Sequence, residues 1–388
     1  MAYNFDRVPN RRTPGVLNKW TFFPNDVLPM WIADMDFSAP PPILEALGKY
    51  VEHGDLGYRL PSKKLYETIA ERLYKLYRWK ISADMILPIS GVNSGYNIAA
   101  RTFCTSERGY LIQTPVYNEF QETRRKAGVP QVEAALAKKA QGNRISYEID
   151  FDSLEQGAKN ANMFLLCNPH NPVGSIYSPA ELKRMAEICV ENNVLIVSDE
   201  IHSELLLDDN RFQPIASLSR EIETRTITLI SASKAFNVPG LFCAFAVIPN
   251  EELRKQYAET LFKMGMHVAS AGLVASQIAY SGRCDKWLKE LRRYLTGNRE
   301  FLNEYVTKRM PEVRITVPKA TYLAWLDFTQ LELEKSPYQF FFENAKVALS
   351  DGAIFGENGK GHVRLNFGTS RRILKQALDR MQKALHSR

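Results

Sequence analysis

No stretch of about 18 consecutive apolar residues occurs in this 388-residue chain, so no membrane-spanning helix is expected. The opening MAYNFDRVPNRR lacks the apolar core of a secretory signal, and a cytoplasmic location is the expectation that follows. Cysteine is scarce. Cys104, Cys167, Cys189, Cys243 and Cys284 are odd in number, widely spread and without a C-x-x-C pair, which disfavours a disulfide frame or a zinc site and gives no metal to expect. An excess of one charge is also missing: the net +7 is spread along the chain, and NRR, TRRK and LRR are short runs without interleaved aromatics. They read as a solvated face rather than a nucleic-acid groove. Nor is there an internal repeat, a low-complexity tract or a charged linker.

What the chain does hold is core material, 45% apolar residues with 17 Tyr and 20 Phe against 24% charged residues, which fits an ordered fold. The length suits one large domain and a smaller one. DMILPIS, GYLIQTP, NMFLLCN, NVLIVSDE, TRTITLIS and CAFAVIP are short apolar runs. Stretches such as SPAELKRMAEICVENN separate them, with apolar positions at helical spacing. The alternation predicts an α/β fold with a mostly parallel sheet sandwiched by helices. After Gly282 the pattern changes: CDKWLKELRRYLTGNREFLNEYVTKRM reads as one long helix, VRITVPKATYLAWLDF and HVRLNFG as strands, and the chain closes on a helix from Ser370. The expected large domain spans 45–282, and the smaller α+β domain takes 1–44 and 283–388.

In such sheets ligands sit beyond the carboxyl ends of the strands, and polar residues collect there. ILPIS runs into GVNSGYNIAARTF, a small-residue turn entering a helix whose amides at Val92 and Asn93 could face an anion. YLIQTP is followed by Tyr117, FLLCN by PHNPVG with Asn168 and Asn171; LIVSDEIH holds Asp199, and ITLIS leads to SASKAFNVPG with Lys234. A solvated lysine is the ordinary reading of Lys234, and a turn cap that of Asp199. Together, however, a lysine, a carboxylate, an aromatic, an amide and an anion cradle at one sheet edge match the needs of pyridoxal phosphate. That cofactor requires a Schiff-base lysine, an anion beside its ring nitrogen and a phosphate site. Strand alternation puts Asp199 and Ile201 on one face, so the carboxylate can reach the ring nitrogen while the isoleucine packs beneath the ring.

The blocks NPHNPVG, SDEIH and SASKAFNVPG, in that order, resemble those of the fold-type-I pyridoxal-phosphate (PLP) enzymes of the class I/II aminotransferase group. LPMWIADMDFSAPPPI and DEIH resemble their cystathionine β-lyase-type carbon–sulfur lyase branch. The resemblance covers nearly the whole chain. It implies a seven-stranded-type sheet in a PLP-binding large domain, and a homodimer. It makes Lys234 the Schiff-base lysine, Asp199 the partner of the pyridine nitrogen, Asn171 a donor to the phenolic oxygen and Tyr117 the ring stacked on the cofactor. Ser231, Val92 and Asn93, joined by Ser233, would hold the phosphate, and Tyr58 in LGYRLP would reach the phosphate of the neighbouring subunit. Arg364 in HVRLNFG, beside Asn171, would clamp the substrate carboxylate with a planar fork that lysine lacks.

Two features depart from ordinary aminotransferases. His202, read as a cofactor contact or a satisfied second-layer histidine, stands where many have a tyrosine, and Leu241, Phe242 and Cys243 follow Gly240 where an arginine is usual. Both favour the lyase branch. The expected reaction is β-elimination from a sulfur-containing amino acid such as L-cystathionine or an L-cysteine conjugate, giving a thiol, pyruvate and ammonia. Lys234 takes the Cα proton as general base, and Tyr117, Tyr58 or Lys234 protonates the departing sulfur. Transamination of an L-amino acid shares the early steps and stands as the alternative, with a PLP-binding regulator lacking catalysis as a second. Ala33 to Asp36 read equally as a substrate entrance and as a buried N-terminal segment.

Overall fold

The structure is a computed structural model that describes residues 3–387. Residues 1, 2 and 388, which fall within the expected small-domain segments, lie outside the described residues. The six apolar runs form strands of one sheet, buried because helices cover both faces: Gly109–Thr114 and Thr226–Ile230 are buried throughout. The order across the sheet is Ile86–Ile89, Ala244–Val247, Thr226–Ile230, Leu195–Asp199, Ala161–Cys167, Gly109–Thr114 and Gln131–Ala135. Neighbours run parallel except Ala244–Val247, which is antiparallel to both of its own. The seventh strand, QVEAA, has no apolar run to announce it because it lies at a half-exposed edge. Alternation along Ala161–Cys167 separates the two faces. Met163 and Leu165 join the core of Tyr96 and Val197, whereas Phe164 and Leu166 join that of Leu182 and Ile196.

A second sheet has six strands in the order Ser350–Asp351, His362–Asn366, Leu323–Asp327, Arg314–Ile315, Arg144–Glu148 and Ala137–Gln141. Its last two strands form an antiparallel hairpin from the middle of the chain, so this sheet is not built from the C-terminal region alone. The long helix runs Asp285–Arg309. The final one, Arg371–His386, starts where Ser370 Oγ accepts the Ile373 N–H. In the N-terminal segment Leu28–Pro29 pairs in parallel with Val347–Ala348, which sends the following residues between the second sheet and the turn that carries Lys234. An ionic cluster centred on the buried Arg72 and reaching the surface at Asp285 and Lys75 ties three elements together. Arg72 forks onto Glu204 (Nε to Oε1 2.8 Å, Nη2 to Oε2 2.5 Å) and reaches Asp285 at 2.9 Å, where Lys75 joins at 3.0 Å. No helix among the described residues is long and apolar enough to cross a membrane.

Candidate active site

Strand ends of the main sheet and one helix start converge on a cavity of ≈ 360 Å³. Ile86–Ile89 leads through Ser90 and Gly91 into the helix Val92–Phe103. Gly91 adopts φ +149°, which residues with a side chain rarely take, and a Cβ there would meet open space. The first bond of the helix is Gly95 N–H to Gly91 O, so the N–H groups of Val92 and Asn93 have no acceptor within the helix; both residues line the cavity. The Asn93 side chain is engaged elsewhere, donating to Glu119 Oε2 at 2.9 Å.

Lys234 follows Thr226–Ile230 on the single turn Ala232–Ala235, capped by Ser231. Ser231 Oγ accepts the Ser233 N–H at 3.1 Å and donates to Cys243 O at 2.7 Å, so its proton is already committed to the backbone. Ser233 borders the same cavity. Lys234 Nζ donates to Ala33 O at 2.7 Å. Part of its side chain stays open to the cavity, yet desolvation lowers its pKa to about 8; Asp34 opposes the fall, Arg364 adds to it and Asp199 opposes it.

Asp199 ends the strand Leu195–Asp199, and its Oδ1 accepts the Ile201 N–H at 3.0 Å. Burial raises its carboxyl to about 7, against the Ile201 amide and the Lys234 charge. Ile201 and His202 line the cavity beside it. His202 Nδ1 is buried without a hydrogen-bond partner among the described residues, and burial, with the charges of Lys234 and Arg364, drives the ring to about 3, so it is neutral. Tyr117 also lines the cavity, its hydroxyl pushed up to about 12 mainly by burial. Asn171 Oδ1 accepts from Arg364 Nη1 at 3.0 Å, which leaves the Asn171 amide to donate toward the cavity. Arg364 sits behind it: Nη2 donates to Trp31 O at 3.0 Å and Ser350 Oγ at 3.2 Å, the guanidinium lies 4.9 Å from the Phe355 ring centre, and burial lowers it to about 10.

Of the residues singled out in the sequence, Asn168 and Tyr58 do not line the cavity: Asn168 is buried with its Oδ1 accepting the Tyr177 N–H at 3.4 Å, and the Tyr58 ring is wholly exposed on the loop between the helices Pro41–Glu52 and Lys63–Tyr77. Tyr96 escaped notice. It lies one turn beyond Val92 on the same helix face, and its hydroxyl is buried with no hydrogen-bond partner among the described residues where the helix borders the cavity. Four-residue spacing from Val92 was the available signal. A wider groove of ≈ 800 Å³ near Asp26 and Arg380 is lined by surface lysines and glutamates and holds none of these groups.

The donor set fits pyridoxal phosphate. Asp199 is a buried carboxylate with no ion pair among the described residues, and a protonated ring nitrogen is the partner its surroundings lack. Lys234 offers an amine of lowered pKa, and the helix start behind Gly91 offers free amides to a dianion.

Residues 34–381 match the family model of aminotransferase class I and II. Cystathionine beta-lyase PatB of Bacillus subtilis (strain 168) is 34% identical over 392 residues, covering 98% of this chain and 100% of that protein. Among solved structures, cystalysin from Treponema denticola, which contains a pyridoxal 5'-phosphate cofactor, matches with a TM-score of 0.94 at 30% identity, covering 100% of both chains. The PLP-bound C-S lyase from Staphylococcus hominis matches at 0.92 and 30% identity, covering 99% of this chain and 98% of that one.

Proposed function

Because this chain belongs to the class I and II aminotransferase family, we propose that it is the carbon–sulfur lyase its relatives indicate. It uses pyridoxal phosphate to eliminate a thiol from a sulfur-containing L-amino acid such as L-cystathionine. The observation that carries this reading is a single cavity lined by a partly buried Lys234 and a buried Asp199, neither in an ion pair among the described residues and both with displaced pKa values. When bound, the cofactor supplies an electron sink for the carbon that loses its proton. Asp199 meets the ring nitrogen, Val92, Asn93 and Ser233 hold the phosphate, and Asn171 donates to the phenolic oxygen. Ser231 supports the phosphate site through the Ser233 N–H that it caps.

Arg364 orients the substrate by its carboxylate, and the charge-assisted fork fixes which Cα substituent faces Lys234. Lys234 then removes the Cα proton, the Cβ–S bond breaks, and the thiolate takes a proton from Tyr117 or from Lys234 itself. Water converts the released three-carbon enamine to pyruvate and ammonia. His202, neutral at every working pH, contributes a polar contact without a charge that would compete with Lys234.

A homodimer in a cytoplasmic setting belongs to the same proposal. Tyr58 is wholly exposed between Leu56 and Leu60, which are 63% and 89% exposed, and Phe242 is 65% exposed at the cavity. An apolar loop of this kind calls for cover, and a second copy would carry Tyr58 to the phosphate. Five free thiols, four of them buried, suit a reducing compartment.

The PLP-loaded protein, given L-cystathionine and no keto acid, is expected to release pyruvate and thiol in equal amounts over many turnovers. Conversion of its absorbance to the pyridoxamine form, reversed only by a keto acid, would make it an aminotransferase instead. Cofactor binding with neither outcome would leave the regulatory reading.

A further inference from the structure

The strap Trp31–Phe37 passes between the two sheets, and side chains hold most of its carbonyls. Asn237 Nδ2 donates to Met35 O at 3.1 Å and Phe37 O at 2.6 Å, while its Oδ1 accepts the Met35 N–H at 3.2 Å. Asn366 Nδ2 donates to Ile32 O at 2.7 Å and Asp34 O at 2.9 Å. Of the carbonyls that meet the two cations, that of Ala33 lies between the two held by Asn366, and that of Trp31 just before them. Trp31 O accepts from Arg364, and Ala33 O accepts both Lys234 Nζ at 2.7 Å and the Tyr322 hydroxyl at 2.9 Å. From outside, the buried Asp36 carboxylate accepts from Trp20 Nε1 at 2.7 Å and Lys19 Nζ at 3.1 Å. Each asparagine stands near one of the cations along the chain: Asn237 lies two residues past the lysine turn, and Asn366 ends the strand of Arg364.

We infer that Asn237 and Asn366 are positioning residues which, by fixing the strap, place Ala33 O as the one acceptor to which the ε-ammonium of Lys234 returns after taking the Cα proton. The inference rests on Lys234 being the base. A lysine side chain has four rotatable carbons, and left unanchored it spreads over many rotamers. A fixed acceptor confines the proton to one point, and misplacement of a reacting group by about 1 Å costs on the order of 10²-fold in rate. A buried ammonium also needs an acceptor, and no carboxylate bonds Lys234 among the described residues.

Asn237 occupies φ +54°, where glycine is at ease, so Asn237→Gly removes the three strap hydrogen bonds without moving the backbone. In the PLP-loaded chain it is expected to lower kcat about 30-fold while KM changes less than about threefold. Exchange of the substrate Cα–H in D2O should slow by the same factor. A readout independent of turnover is the pH midpoint for recombination of the cofactor-free chain with pyridoxal phosphate. That midpoint is expected to fall, because a loosened acceptor favours the charged amine less; Asp34, Asp199, Arg364 and His202, which also face the amine, are unaltered. If Asn237→Gly does not fold, wild-type holoenzyme crystallised with an unreactive amino-acid analogue decides: Nζ within about 3.2 Å of Ala33 O supports the inference, and a lysine bonded elsewhere overturns it. Unchanged kcat and midpoint in a folded variant, or a loss confined to KM, also overturn it. Cα exchange that persists in Lys234→Ala would instead sink the reading of Lys234 as base.

Discussion

Asp199 ends a strand and Glu204 lies five residues further on, yet the charges at the two positions meet opposite conditions. On the Glu204 side Arg72 is forked by one carboxylate and shared with a second, and Lys75 completes the set. On the Asp199 side the anion holds a backbone amide, Lys234 a carbonyl, and Arg364 two neutral oxygens and an amide oxygen. Taking a charge out of water costs several kcal/mol unless an opposite charge compensates. The cluster around Arg72 is therefore structural, whereas the cavity carries an uncompensated cost. A ring cation at Asp199 and a carboxylate at Arg364 would relieve that cost on binding, which is what a binding site needs and a scaffold does not.

The largest break in the comparison comes from Lys234→Ala. Turnover is expected to fall by at least about 10³-fold, within the range for a lost general base, while thermal stability holds or rises. Its folded pKa, about 8, lies below the ordinary 10.5, so the buried amine costs stability below pH 8 and the cost fades as pH rises toward 10.5. A drop in melting temperature as large as that from breaking the Arg72 cluster would erase the distinction between the two regions.

Asp199→Asn follows, with a loss of about 10²-fold in kcat from a weakened hold on the ring proton. Its second effect has a sign that tests the cavity directly. The folded carboxyl, at about 7, lies above the ordinary 3.8, so the charge costs stability above pH 7 and the cost is relieved as pH falls from 7 toward 4. The cofactor-free variant is therefore expected to melt above wild type at pH 8 and level with it near pH 4. Equal melting at pH 8 would mean that Asp199 has found a cation.

How much of this was legible depended on where each side chain's partner lay in the chain. The six apolar runs, the long helix and the Ser370 cap carry their signals locally, and each formed where it was read. Lys234, Asp199 and Asn171 were legible because strand ends put them at one edge. The hairpin Ala137–Glu148 was not, since AKKAQ and RISYE have no apolar run and gain their place from a sheet assembled far along the chain. Asn237 stood inside the quoted lysine block, yet its role needs Met35 and Phe37, some two hundred residues away. No local pattern encodes such a contact. Tyr58 shows the opposite limit: its neighbourhood reads clearly, but its ring is wholly exposed, so nothing in its own surroundings shows what it does.

Arg364→Lys sharpens the comparison just behind the lining of the cavity, where Arg364 holds Asn171. The point charge remains, but lysine cannot keep Asn171, Trp31 and Ser350 while also forking onto a carboxylate. KM for L-cystathionine is expected to rise roughly 30-fold, the loss of about 2 kcal/mol of charge-assisted hydrogen bonding, with kcat lowered less. A kcat loss without a KM change would place Arg364 outside substrate binding.

Glu204→Gln has the smallest expected effect on turnover and the clearest meaning for the pair of regions. It keeps the shape, removes the anion that Arg72 forks onto, and leaves Asp285 as the only carboxylate on that guanidinium among the described residues. Urea unfolding is expected to show a loss of about 3 kcal/mol, the lower end for breaking a buried pair because one partner remains, while kcat/KM stays within about twofold. The acid limb should also change. Asp285 is held below the ordinary 3.8, its burial outweighed by Arg72 and Lys75, so its contribution is present above that value and lost as pH falls through the folded pKa. With Glu204 neutral, Arg72 leans on Asp285 alone, and acid unfolding becomes steeper over that window. Asp199 titrates nearer neutrality and in the opposite sense, so the carboxylate of the cluster and the carboxylate of the cavity would be told apart by a single pair of pH–stability curves.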